Sequence, residues 1–437
     1  MQAKQPSHIL SLRCTVCGRE HAPDSVRYVC PDHGDDGVLD VVYDYAAVAR
    51  TISPATLAAC GDPTQWRYRA LLPVSPHTAP PPLPVGGTPL VASPRLAALA
   101  GVAAVHLKDE SRQPTGSLKD RASALAVMKA GEAGARVVTT ASTGNAAAAL
   151  AGMSAAAGMD CVIFVPESAP RAKIAQLLAY GAHVYLVQGS YDHAFALCLE
   201  AAEAYGWYNR NTGYNPYMAE GKKTAAFEIA EQLGWDVPDA VFVGVGDGCI
   251  ISGLHKGFKD MLALGWIDRM PRLFGVQSAG SDFLYQAWAH DADALTWPPI
   301  TARTVADSIA AGLPRDRVKA MAAVRETDGA WIRVSDTAIL AAIPRLARAS
   351  GVFAEPAAAA SLAGLLAARA EGRIEATDRV ALLVTGSGLK DVDAAMRACA
   401  DAHISPITVA PTLAAVRHTA DNLFRDAAPA ALHDNSM

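Results

Sequence analysis

Lys108-Asp109-Glu110-Ser111-Arg112-Gln113-Pro114-Thr115-Gly116-Ser117-Leu118-Lys119-Asp120-Arg121 decides how this chain is read. The apolar run Val105–Lys108 has the length and composition of a strand. Pro114-Thr115-Gly116 follows as a turn, and Lys119–Ala130 has a helical pattern. Lys119 therefore sits at a helix start. The positive end of the helix dipole disfavours an ammonium there and lowers its pKa. A lysine that sheds its proton near neutral pH is what Schiff-base chemistry with a carbonyl requires.

Working outward, strand-like and helical stretches alternate. Arg136–Thr140, Asp160–Val165, His183–Val187, Ala240–Val245, Arg272–Gln277 and Arg379–Val384 read as strands. Asn145–Ala157, Arg171–Tyr180, His193–Tyr205, Ile250–Leu264 and Ala357–Ala370 read as helices. Such alternation predicts an α/β protein with doubly wound parallel sheets. We expect a large domain from 86–129 and 215–403, with a small mobile domain, 130–214, inserted in it. Residues 46–85 are Pro-rich and read as a linker, and 404–437 read as a tail without a strong pattern.

The 437 residues are 51% hydrophobic and 19% charged, with net charge −5, which excludes a disordered chain and predicts no attraction to nucleic acid. Neither a signal peptide nor a spanning apolar run is evident, so a cytoplasmic enzyme is expected. Cys14-x-x-Cys17 and Cys30-x-x-His33 have the residue types and spacing of a structural zinc site. Asp32 and Asp35 are alternatives to His33. The region 1–45 is thus expected to be a small zinc-ribbon-like module.

Three further loops carry chemistry. Ser142-Thr143-Gly144-Asn145 joins a strand to a helix and presents backbone N–H groups suited to an anion. Val245-Gly246-Asp247-Gly248-Cys249-Ile250 is a glycine turn of the kind that cradles phosphate. Thr385-Gly386-Ser387-Gly388-Leu389-Lys390-Asp391 follows the last strand, and Glu355-Pro356-Ala357 starts a helix.

Taken together, these motifs resemble threonine synthase, in the fold-type II family of pyridoxal-phosphate (PLP) enzymes. The resemblance runs from Gly87-Thr88-Pro89-Leu90 to Asp391. It includes Asn215-Pro216-Tyr217, Glu220-Gly221, Lys223-Thr224 and Lys256-Gly257-Phe258-Lys259. It implies that Lys119 is the catalytic lysine and binds the cofactor. Asn145 and Thr385 would meet the cofactor ring, and Gly246, Asp247, Gly248, Cys249 and Ile250 its phosphate. Ser142, Thr143, Gly144, Asp247 and Glu355 would face the substrate. A homodimer is implied as well.

Two residues depart from the family pattern. Where N-P-x-R has an Arg for the substrate phosphate, this chain has Met218, which brings no charge and no donor. Where V-G-N has Asn, it has Asp247, whose carboxylate repels a phosphate. Pro166–Lys173 and the V-G-x-G-x-I-x-S-G spacing are more similar to threonine/serine dehydratases and ammonia-lyases. The expected substrate is therefore a non-phosphorylated amino acid that loses or exchanges its β-substituent after Lys119 removes the α-proton. Asp247 faces a substrate amine, points away from the site or caps the next helix. Arg171 is a candidate replacement for the missing Arg. Threonine synthase activity on O-phosphohomoserine and a PLP-binding subunit of a two-component thiolase remain the alternatives.

Overall fold

In chain order the computed structural model contains β1 (Ile9–Cys14), β2 (Glu20–His21), β3 (Leu39–Tyr43), α1 (Tyr45–Ala49), α2 (Pro54–Ala58), β4 (Leu90–Ala92), α3 (Pro94–Ala100) and β5 (Ala104–Asp109). There follow α4 (Lys119–Glu132), β6 (Val137–Ala141), α5 (Asn145–Ala157), β7 (Asp160–Pro166), α6 (Arg171–Ala179), β8 (His183–Val187), α7 (Tyr191–Tyr205), β9 (Tyr208–Asn209), α8 (Tyr217–Lys222) and α9 (Thr224–Gln232). The chain continues through β10 (Ala240–Gly244), α10 (Cys249–Ala263), β11 (Arg272–Ser278), α11 (Phe283–Ala289), α12 (Arg317–Arg325), β12 (Ala330–Val334), α13 (Asp336–Ser350), α14 (Pro356–Ala370), β13 (Arg379–Val384), α15 (Val392–Asp401) and α16 (Leu413–Phe424). Residues 8–167, 169, 171–189 and 191–424 are described.

The strands form two parallel sheets because their sequences are apolar on both faces. All five residues of β10 are buried, as are five of the six in β13. The larger sheet has the order β12-β11-β10-β13-β5-β4, parallel except for β4, which pairs antiparallel with β5. The smaller sheet, β8-β7-β6-β9, is parallel throughout. Small residues let α14 lie on the large sheet: a Cβ on Gly244 would come within 2.3 Å of the Ala357 carbonyl oxygen.

Strand order places the functional loops. β10, β13 and β5 are neighbours, so the loops leaving their carboxyl ends emerge side by side. Those loops carry Gly246–Ile250, Thr385 and Lys119. Ligands in open parallel sheets sit at this end of the strands.

The N-terminal module is a three-stranded antiparallel sheet, β2-β1-β3, and it packs on both larger bodies. The Tyr28 hydroxyl accepts from the Asn209 backbone N–H at 2.8 Å, beside the small sheet. Tyr43 donates to Glu220 at 2.6 Å and Tyr45 to Asp260 at 2.6 Å, on the large body.

Two stretches differ from the sequence reading. The Pro-rich segment 46–85 contains α1, α2 and a 3-10 turn at Gln65–Leu71, and it buries Leu57, Trp66, Tyr68 and Leu71 against the body. Ser53 and Thr56 close a reciprocal capping box, which lets so short a helix form after a proline. The expected patternless tail contains α16, with Leu413 and Val416 three residues apart and exposed.

Candidate active site

The Lys119 loop is held from inside by its own acid. Asp120 accepts from the Thr115 backbone N–H at 2.6 Å and from the Thr115 hydroxyl, which closes the turn before α4. Burial pushes the Asp120 carboxyl up to about 6. Arg121, with no solvent exposure, clamps two acids at once: 2.8 and 2.7 Å to Glu110, and 2.7 Å twice to Glu228. Lys108 pairs with the same Glu228 at 2.6 Å. This buried network ties the start of α4 to β5 and α9. Bidentate pairing is what makes burying four charges tolerable.

Backbone bonds then join three loops. Leu118 N–H donates to the Thr385 carbonyl at 2.9 Å, Ser387 N–H to the Gly116 carbonyl at 3.0 Å, and Glu355 N–H to the Gly386 carbonyl at 3.1 Å. Asn145 reaches in from the small sheet and donates its amide to both Glu355 oxygens, at 2.8 and 2.9 Å. The Thr385 hydroxyl makes no hydrogen bond among the described residues, and the Ser117 hydroxyl beside it is buried without a partner.

Lys119 is half-buried within this junction, and its amine is brought down to about 8. Burial is the main cause. The Glu355 carboxylate opposes it, while Lys222, Arg210 and Lys390 push the same way as burial.

The Gly246–Ile250 loop is kept open by packing behind it. A Cβ on Gly246 would lie 2.8 Å from Ile309 Cα, and one on Gly248 2.8 Å from Ala320 Cβ. Gly248 also has φ +92°, a conformation that favours glycine. No side chain caps α10, so the N–H groups of its first turn are free of helical partners. Asp247 is therefore not a cap of that helix. Its carboxylate accepts from the Arg315 backbone N–H, and its own carbonyl accepts from Asp316 N–H at 2.9 Å. Burial raises its pKa, and the Lys222 charge opposes that rise.

Ser142 turns the corner after β6, accepting from Gly144 N–H at 3.2 Å, and α5 likewise begins without a side-chain cap. Thr143, Gly144, Asn145, Glu355 and Lys390 line a cavity of about 430 Å³. Lys119, Thr385 and Gly246–Ile250 do not line it. Met218 is fully buried in an apolar cluster with Cys249 and Ala148. The side chain of Arg171 lies outside the described residues, as do Ser168 and Pro170 of its motif.

Sequence reading overlooked Lys222, Arg210 and Ser308. Ser308 lies 3.4 Å from the Asn145 amide. Lys222 carried a readable signal, because it follows Met218 by one helical turn.

The donor atoms of Cys14, Cys17, Cys30 and His33 all lie within 4.8 Å of one another. Asp32 is engaged by Arg19 and Asp35 by Arg315, which leaves His33 as the fourth donor. Three thiols and an imidazole suit a tetrahedral zinc site. The turn after His33 also presents Asp36 to Arg317, so this module braces residues 315–317, the segment that holds Asp247.

The PLP group fits the residues present: a depressed amine, an uncapped helix start behind a glycine loop, and an unpartnered hydroxyl sit on loops that leave neighbouring strands. Residues 82–386 match the family model described as pyridoxal-phosphate dependent enzyme. The chain is 38% identical to the threonine synthase of Methanocaldococcus jannaschii over 387 residues, 88% of this chain and 94% of that one. It is 38% identical to that of Methanosarcina acetivorans, over 93% of this chain and 97% of the other. Its fold is similar to diaminopropionate ammonia lyase from Escherichia coli, with TM-score 0.62, 19% identity, and coverage of 82% and 95% of the two chains. Threonine deaminase isoform 2 from Solanum lycopersicum gives TM-score 0.61 at 23% identity, covering 72% of this chain and 83% of that one. The chain belongs to the pyridoxal-phosphate dependent enzymes and is a lyase or synthase of the threonine synthase-like, fold-type II group.

Proposed function

We propose that this enzyme eliminates or replaces the β-substituent of a non-phosphorylated amino acid, with Lys119 as its acid–base residue. The observation that carries this reading is the buried Lys119 amine, depressed to about 8 with the Glu355 carboxylate acting on it. Near neutral pH a useful fraction of such an amine is unprotonated and can take a proton from carbon. When bound, PLP supplies the electron sink for the carbanion that this proton transfer leaves.

The remaining roles belong to the chain. Lys119 would hold the cofactor by its aldehyde carbon, and its amine would move the substrate's α-proton. Ser142, Thr143 and Gly144, with the uncapped start of α5, receive the substrate carboxylate. Asn145 and Thr385 orient the cofactor ring. Gly246–Ile250 hold its phosphate, and Glu355 keeps Asn145 in place. Thr385 is a neutral partner for the ring nitrogen, which favours elimination over transamination.

Two residues support a substrate without phosphate. Met218 is apolar and fully buried, and Asp247 is an acid at the glycine loop. Asp247 suits a substrate amine or hydroxyl better than a phosphate. The deciding assay compares amino acids carrying β-hydroxyl, β-amino and β-thiol groups with O-phosphohomoserine. Keto-acid or β-replaced product from the first group supports the reading. Efficient release of threonine and phosphate from O-phosphohomoserine would replace it.

We further propose that Cys14, Cys17, Cys30 and His33 bind a structural zinc ion, since four protein donors leave no open position. Metal analysis of protein purified without chelator tests this: about one zinc per chain is expected.

A further inference from the structure

Lys222 and Lys223 are adjacent and both buried, at 2% and 0% exposure, but their surroundings differ. The Lys223 charge is answered: it pairs with Glu220 and with Asp260 at 2.7 Å. Lys222 forms no ion pair among the described residues, and its side-chain hydrogen bond goes to the Cys249 thiol at the start of α10. A buried ammonium without an anion is costly.

Its position shows which anion is missing. A Cβ on Gly253 would lie 3.0 Å from Lys222 Cβ, so the lysine leaves α8 where α10 crosses most closely. The lysine charge acts on Cys249, one turn earlier on α10, and on Asp247 and Lys119. It therefore lies at the N-terminus of α10, beside an uncapped turn that is itself electropositive. Two positive ends face each other there, and Lys119 adds a third. The Asp247 carboxylate is one negative charge beside them, and Lys222 with the helix terminus outweighs it, so a dianion is favoured there. Lys222 also stands one turn after Met218, on the same helix face.

We propose that Lys222 is the counter-charge for a phosphoryl dianion seated on the N-terminus of α10, and that this phosphoryl group is the cofactor's. The proposal rests on the reading of Gly246–Ile250 as the cofactor's phosphate loop. It adds a charged anchor to a cradle otherwise made of backbone N–H groups.

The test is an absorbance titration of apoprotein with pyridoxal phosphate and with pyridoxal, which lacks the phosphate, for the native chain, Lys222→Gln and Lys222→Arg. Lys222→Gln should bind pyridoxal phosphate about 10- to 100-fold more weakly, as for loss of one charge-assisted hydrogen bond, with pyridoxal affinity unchanged. Lys222→Arg should recover most of the loss. Inorganic phosphate should raise the melting temperature of the native apoprotein and not that of Lys222→Gln. The apo variant itself should melt no lower than the native apoprotein, because a buried unpaired charge has been removed. Unchanged pyridoxal phosphate affinity in Lys222→Gln overturns the proposal, and so does an equal loss for pyridoxal. Retained cofactor affinity with a raised KM for O-phosphohomoserine assigns the anion to a substrate and also overturns it. If the native chain fails to take up pyridoxal phosphate, the loop reading falls and the proposal with it.

Discussion

The Asn145 amide donates to both oxygens of Glu355, at 2.8 and 2.9 Å, and this pair couples the small sheet to the large one at the mouth of the site. Glu355 also holds up the pKa of Lys119. One carboxylate thus holds the Asn145 side chain and acts on the Lys119 amine.

Glu355→Gln removes a negative charge beside an ammonium. The charged form of Lys119 loses support, so its pKa should fall below about 8. The rate at which apoprotein takes up pyridoxal phosphate, followed against pH, should then show its midpoint at lower pH than in the native chain. A midpoint displaced upward would contradict the assigned electrostatics.

Arg121→Met leaves Glu110 and Glu228 buried without their shared cation. The loss should be about 3–5 kcal/mol of unfolding free energy in urea titration. Lys108 can still pair with Glu228, so the larger part of the penalty falls on Glu110. A change within experimental error would mean that the network contributes little.

Gly248→Ala forces a side chain onto φ +92° and into Ala320. About 1–3 kcal/mol of strain is expected there, which should displace the loop and weaken pyridoxal phosphate binding more than it lowers the melting temperature. Native-like cofactor affinity would show that the loop does not carry the phosphate.

Metal removal should act at a distance. Asp35 and Asp36 follow His33 after Gly34 and hold Arg315 and Arg317, whose segment fixes Asp247. Chelation, or Cys17→Ser, should therefore lower the melting temperature and loosen cofactor retention together. Cofactor retention unaffected in metal-free protein would separate the module from the site.

Much of this architecture was legible because its signals are local. The apolar runs that became β10 and β13 could only be buried strands. Gly248 stands where the turn demands positive φ, and Cys14 and Cys17 have metal-ligand spacing. What escaped depends on tertiary geometry. Nothing in the order of residues shows that Lys223 pairs with Asp260 while Lys222 makes no ion pair among the described residues. Nor does the sequence show that Asp36 reaches Arg317 across the chain. The helix at Leu413–Phe424 was not foreseen, and its Leu413, Val416 and Leu423 stay exposed rather than joining a core. In 46–85 prolines suggested an irregular linker, whereas Ser53 capping gives it a short helix; Trp66 and Tyr68 are buried.

The central claim is that Lys119 holds the cofactor. Reduction of the cofactor-loaded protein with borohydride, followed by proteolysis and mass spectrometry of the peptides, tests it directly. The modified lysine should be Lys119, and Lys119→Ala should yield no modified peptide and lose catalysis. Attachment at another lysine such as Lys222, or full activity in Lys119→Ala, would contradict the account.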